Sequence, residues 1–199
     1  MTITSSDVAK WPVQNGWSIS PGVPGIAKGN RVKFGHSARV GDSARVGDCA
    51  RVGDSARVGD YASVGDSASV GDCARVGDSA RVGDYAHVGD YARVGNYARV
   101  GDCARVGDCA RVGDYAHVGD YAKRVVADLG AEQQRQYGRC AYINKDNTLI
   151  LQAGCHHFTL SEARAHWGDK AYPDRKRGDE YLALCDYVEA LAKIQGVAI

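Results

Sequence analysis

Cys155-His156-His157 is the densest group of nucleophilic and metal-ligating side chains in the sequence. A thiolate beside an imidazole can hold a metal or act as a nucleophile with its base. The surrounding residues argue against both uses. No second ligand pair at metal spacing, such as a Cys-x-x-Cys, accompanies the group. Adjacent residues in a strand point to opposite sides, which separates Cys155 from His156. The group therefore reads as a packed hairpin end. Two more histidines, His87 and His117, replace a recurring arginine and read as solvated substitutions on different faces. No catalytic residue, metal site or cofactor is expected.

The element that must position everything else is a repeat. From Gly35 to Val118 the chain reads Gly-Asp-x-Ala-Arg-Val in 14 consecutive copies without an insertion. A fixed period specifies a repeat architecture. Ala and Val stand two apart, so in a strand both face inward, while the Arg position and the residue after Asp face outward. Gly-Asp turns the corner, with Gly expected to supply a positive φ. His36 and Asn96 replace Asp at two corners.

The pattern Val-Gly-x-x-Ala-x resembles the hexapeptide repeat of left-handed parallel β-helices. That resemblance implies a triangular, left-handed coil with three hexapeptides per turn. Eighteen residues per turn gives about 4.7 turns, or roughly 23 Å at about 4.8 Å per rung. The fold class is mainly β, a left-handed parallel β-helix carrying a C-terminal α+β module. Gly-Val-Pro-Gly-Ile-Ala-Lys-Gly before the array, and Gly154-Cys155 within the tail, are similar to hexapeptide-repeat proteins of bacteriophages and prophages. Members of the wider hexapeptide group include acyltransferases and trimeric carbonic anhydrases, but this array has no insertion loop to hold a coenzyme arm. Ice binding, another use of such coils, needs ladders of short hydroxyl residues, and the long arginines argue against it.

Residues 18 apart stack on one face. Arg39, Arg57, Arg75, Arg93 and Arg111 form an unbroken cationic column. From Gly35 to Ala122 the array holds 13 Asp against 10 Arg, so corner carboxylates are the expected partners of these arginines. The alternative partner is an acidic protein, a phosphate or a nucleic-acid backbone, with duplex DNA disfavoured by the Asp corners. Ser63 and Ser69 drop the arginine in one rung, with Ser67 between them, and mark a place where something packs close. Tyr61, Tyr85, Tyr91, Tyr97, Tyr115 and Tyr121 crowd the corners. Exposed Tyr with Arg is an interface composition.

The chain divides into an irregular cap (1–25), the coil (26–122) and the α+β module (123–199). Trp11 and Trp17 are expected to cover the open first rung, with the coil starting near Ile26. Residues 123–137 read as a connector, helical from Val126. A hairpin turns at Lys145-Asp146-Asn147. Thr159 and Glu162 form a capping box opening a helix to about His166. A second helix spans 179–194, with Tyr181, Leu184, Val188 and Leu191 on one face. Seven cysteines and a net charge of +1 fit free thiols in a cytoplasm, that of the host cell if phage-encoded, with no signal peptide and no attraction to membranes. The expected function is a non-enzymatic structural or interaction protein, phage-encoded and self-associating through coil faces or the tail. The alternative is a binding module that uses surface Arg to trap a small anionic ligand or inhibit a host defence protein. A hexapeptide acyltransferase-like enzyme stands third. Self-association is the expected partnership, and nucleic acid is disfavoured.

Overall fold

In the computed structural model, residues 31–132 and 137–197 are described, together with the backbone of the short strands Thr2–Ile3, Val13–Gln14, Trp17–Ile19 and Ala27–Lys28. The array forms a parallel β-solenoid of about five turns. Each copy contributes a strand of two residues, three in Ala38–Val40, and each strand up to Arg99–Val100 pairs in parallel with the one 18 residues later, as Arg75 does with Arg93 and Val76 with Val94. Three parallel sheets result. Ala and Val fill the interior, where Ala44, Val46, Ala104 and Val106 are fully buried. Each buried Val contributes on the order of 1.5–3 kcal/mol.

The corners depart from the expected geometry. The positive φ falls on the residue after Asp, from Ser37 to Tyr121, at 55° to 59°, and not on Gly. Gly is required for a different reason. A Cβ on Gly83 would collide with Oδ1 and the backbone nitrogen of Asp102 in the next rung. The same contact recurs at nearly every corner, so rungs can stack only because that position lacks a side chain. The Asp side chain is an acceptor. Its Oδ1 takes the backbone N–H of the residue 18 positions earlier, as from Asp66 to Asp84 at 2.8 Å and from Asp54 to Asp72 at 2.7 Å. Asn96 accepts from the Asp78 amide at 2.8 Å in the same way, which explains why an amide is tolerated there. The left-handed corner residues cost about 1–2 kcal/mol each, offset by this ladder.

Parallel pairing begins at Ala27, which lies beside Arg45. Antiparallel strands at Trp17–Ile19 and Val13–Gln14 extend that sheet, and Thr2–Ile3 pairs antiparallel with Ala38–Arg39. The expected Trp11 cap lies outside the described residues, as does the side chain of Trp17.

The tail opens on a strand, Arg124–Glu132, where a helical connector was expected. Its apolar residues have a choice of two partners, and pairing with Tyr137–Ile143 wins because both strands then lie across the end of the coil. Leu149–Ala153 and His156–Thr159 complete a four-stranded antiparallel sheet. Alternation sorts its faces. Cys140 and Tyr142 join the coil's core, while Ala141, Ile143 and Leu151 join a second core under two helices. Helix α1 (Leu160–Gly168) begins at the Thr159–Glu162 capping box. Helix α2 (Arg175–Ile194) starts a turn earlier than expected, because Asp174 accepts from the Arg177 amide. It buries Tyr181, Cys185, Val188 and Ala192, and Leu184 and Leu191 are only half-buried.

The ladder makes a sharp prediction. Asp84→Asn preserves the acceptor and should change stability by less than about 0.5 kcal/mol, whereas Asp84→Ala should cost about 1–3 kcal/mol. Gly83→Ala should be at least as damaging as the latter, at about 1–3 kcal/mol or more. Urea unfolding at pH 7 checks the order; an Asn variant as damaged as the Ala variant would contradict it.

Candidate functional site

The last rung of the coil has no next rung to satisfy it, and tail side chains take over that role. Gln152, fully buried, accepts the His117 backbone N–H at 3.1 Å through Oε1. Asp128 stands over Gly113 where the next corner carboxylate would be, and Tyr142 stands over Gly119. The buried Cys140 thiol lies 3.6 Å from both the His117 carbonyl and Gln152 Oε1. Burial pushes that thiol up to about 12, so it is a neutral packing group. These contacts fix the tail on the coil and bring its Gly154–Cys155 turn beside one coil face.

The result is a cleft of about 600 Å³ lined by Ser79, Arg81, Tyr97, Arg99, Tyr115, His117, Gly154 and Cys155. Arg81, Arg99 and His117 are consecutive steps of one face, paired in register. Tyr97 and Tyr115 stack face to face on the neighbouring corner, centroids 5.1 Å apart and planes 2° apart. His117 is half-buried and meets His157 edge to face at 5.1 Å. Tyr142 lies 2.9 Å from Nδ1 of His157. Burial pushes the Tyr142 phenol up to about 12, so the hydroxyl stays protonated and shares a hydrogen bond with His157 Nδ1. His157 is exposed overall, with its ring against His117 and Tyr142.

Both imidazoles titrate below the ordinary histidine range. For His117 burial is the main cause, with the Arg99 guanidinium next and Asp120 opposing. For His157 burial again leads, followed by His117 and His156. At neutral pH the cleft therefore presents two fixed cations beside an uncharged imidazole that can accept a proton.

His117 is thus no solvated substitution, although His87, at the same repeat position, is exposed as expected. The Cys155 thiol sits in a turn and not in the strand, so it shares a cleft with His117, while His156 points into a neighbouring aromatic cavity. Tyr142 and Gln152 carried no sequence signal, because their roles depend on how the tail docks. The Arg39–Arg111 column is stacked as expected. Its corner-Asp partnering is not seen: among the described residues the column's one ion pair is Arg111 with Asp128 of the tail, 3.3 Å. The corner carboxylates lie on backbone amides instead. Arg75, Arg93 and Arg111 line a groove of about 300 Å³. Tyr61, Tyr85 and Tyr91 are 63–69% exposed, and Ser63 and Ser69 are half-buried while Ser67 is exposed. No group of three or more potential metal ligands occurs among the described residues, and no helix there is long and apolar enough to cross a membrane.

No known protein family profile matches the chain, and no curated protein does. Solved structures do. PerB from Caulobacter crescentus, in complex with CoA and GDP-perosamine, is 20% identical with a TM-score of 0.35, over 53% of this chain and 55% of that one. A UDP-N-acetylglucosamine acyltransferase from Campylobacter jejuni is 14% identical with a TM-score of 0.21, over 78% of this chain and 72% of that one. The chain thus spans about half the length of the first of these. At these identities the likeness is one of fold; the expectation of a non-enzymatic protein is nevertheless withdrawn, because solved structures of this fold include acyltransferases and a repeat coil gives no ground for excluding catalysis.

The two depressed imidazoles set a pH dependence. A histidine whose folded pKa lies below its unfolded value of about 6.5 leaves the folded state fully stable above that value. Stability is then lost as pH falls, because the unfolded chain binds the proton more readily. Urea midpoints should fall between pH 7.5 and pH 5.5, and His157→Gln should fall less. An equal fall in both would contradict the assignment.

Proposed function

We propose that the cleft binds a small anionic, phosphate-bearing molecule and transfers an acyl group from or to it. The observation that supports this reading is the placing of a neutral, half-buried His117 beside Arg81 and Arg99 in one cleft. Guanidiniums fork onto phosphate oxygens in bidentate fashion, and two of them one rung apart match a single phosphate or diphosphate. The imidazole supplies the base. His117 takes the proton of an acceptor hydroxyl or amine as that group attacks the acyl carbon. The new acyl–oxygen or acyl–nitrogen bond forms, the bond to the leaving group breaks, and the proton passes to the leaving group. Reduced surroundings, as in a cytoplasm, fit the seven free cysteines. Self-association through the exposed corner tyrosines belongs to the same reading, supported by their exposure.

Calorimetry with pyrophosphate provides the test. The double variant Arg81→Ala/Arg99→Ala should bind at least tenfold more weakly, and wild-type affinity should fall with added salt. His117→Gln should leave binding within about threefold and, once an acyl donor is found, reduce turnover by about 10²–10⁴. Unchanged pyrophosphate affinity in the double variant would overturn the reading.

A further inference from the structure

The cleft does not end at Cys155. Gly154 and Cys155 also form the wall of a second, smaller cavity of about 140 Å³, whose other lining includes His156, His166, Trp167, Tyr172 and Tyr181. Gly154 has a φ of 61°, a conformation that favours glycine, and it adds no side chain to the partition between the two cavities. The second cavity is walled by aromatic rings. His166 contacts three neighbouring rings, with centroids 5.4 Å from His156, 5.1 Å from Phe158 and 5.5 Å from Tyr172. Trp167 and Tyr181 stack at 4.3 Å and are buried, so they form a rigid floor, while His166 stands exposed at the mouth. Arg177, ion-paired with Asp174 at 3.9 Å, is also part of the wall.

The geometry points to a bipartite ligand: a flat aromatic or heteroaromatic ring held in the second cavity, joined to an anionic group held by Arg81 and Arg99. This deepens the reading of the cleft and rests on it. These rings pack on one another at 5.1–5.5 Å, and a ligand ring laid in the cavity beside them would gain offset or edge-to-face contacts of the same kind. Small-molecule sites combine such apolar walls with a few convergent polar groups, over roughly 300–1,000 Å³. Neither cavity alone has both parts in full. The larger one holds the cations, and the smaller one holds the enclosing rings. The stacked Tyr97–Tyr115 pair offers a competing platform for a ring within the larger cleft, and the test separates the two.

The experiment is calorimetric titration of the full chain with inorganic phosphate, phenyl phosphate and 4-phenylbutyl phosphate, the two aryl probes differing in reach. At least one aryl phosphate should bind tenfold or more tightly than inorganic phosphate. His166→Ala and Tyr172→Ala, both at accessible positions, should each remove most of that gain and leave phosphate affinity unchanged. His166→Phe should retain it, which sets a ring's contribution apart from a structural one. The inference is overturned if phosphate binds but neither aryl probe gains more than twofold. It is overturned equally if the gain survives His166→Ala and vanishes in Tyr97→Ala. Absence of binding by all three probes, in a chain that circular dichroism finds folded, instead overturns the reading of the cleft itself.

Discussion

Each rung of this protein can be laid on the next only because a carboxylate oxygen from one corner meets a backbone amide from another. Asp42 to Asp60, Asp60 to Asp78 and Asp78 to Asn96 are successive links of one such column, at 2.8, 2.9 and 2.8 Å. The contact demands an approach that no Cβ at the preceding glycine would permit. It also holds the following residue in the left-handed region, whatever its side chain. Stacked carboxylates would repel one another if they were bare. Here the corner oxygens from Asp54 to Asp120 each accept a backbone N–H from the rung before. The Ala and Val interior supplies burial, but the corner ladder fixes the spacing at which that burial occurs.

A ladder of this kind creates a problem at its end, and the solution to that problem builds the cleft. The last rung offers amides and glycine notches with nothing above them. Gln152, Asp128 and Tyr142 fill three of these places with side-chain oxygens. Two are incidental to chemistry, but Tyr142 also reaches His157 and so links the cap to the cleft. His117 lies on the terminal rung, where the arginine stem of earlier rungs would meet the tail, and an imidazole fits the half-buried position. Capping and site construction are thus one event, with Cys140 and Gln152 on the capping side and His117, His157 and Arg99 on the other.

The coil was fully legible in the sequence, since one unbroken period of six sets which residues point in and which stack. The reason for its glycines was not legible, because it depends on the distance between rungs and not on local conformation. Asn96 did hint at it: an amide and a carboxylate share an acceptor oxygen. The tail's first strand was misread as a helix because its apolar run is short, and short runs are settled by available partners. The site was largely hidden. His117 looks like any other substitution of the repeat, and only docking of the tail distinguishes it from the exposed His87. The arginine column was read correctly in position, yet its expected carboxylate partners are held by the backbone.

The arginine column and the cleft therefore compete as places where an anion would be received. The cleft has walls on two sides, an uncharged imidazole and aromatic neighbours; the column has regular charge and an open groove. Their peptide segments do not overlap, so hydrogen–deuterium exchange can tell them apart. The chain should be followed with and without saturating pyrophosphate. Slowed exchange is expected in 97–100, 115–119 and 153–157, with 75–77 and 93–95 unchanged. Protection confined to the segments carrying Arg75 and Arg93, with the cleft segments unaltered, would contradict it.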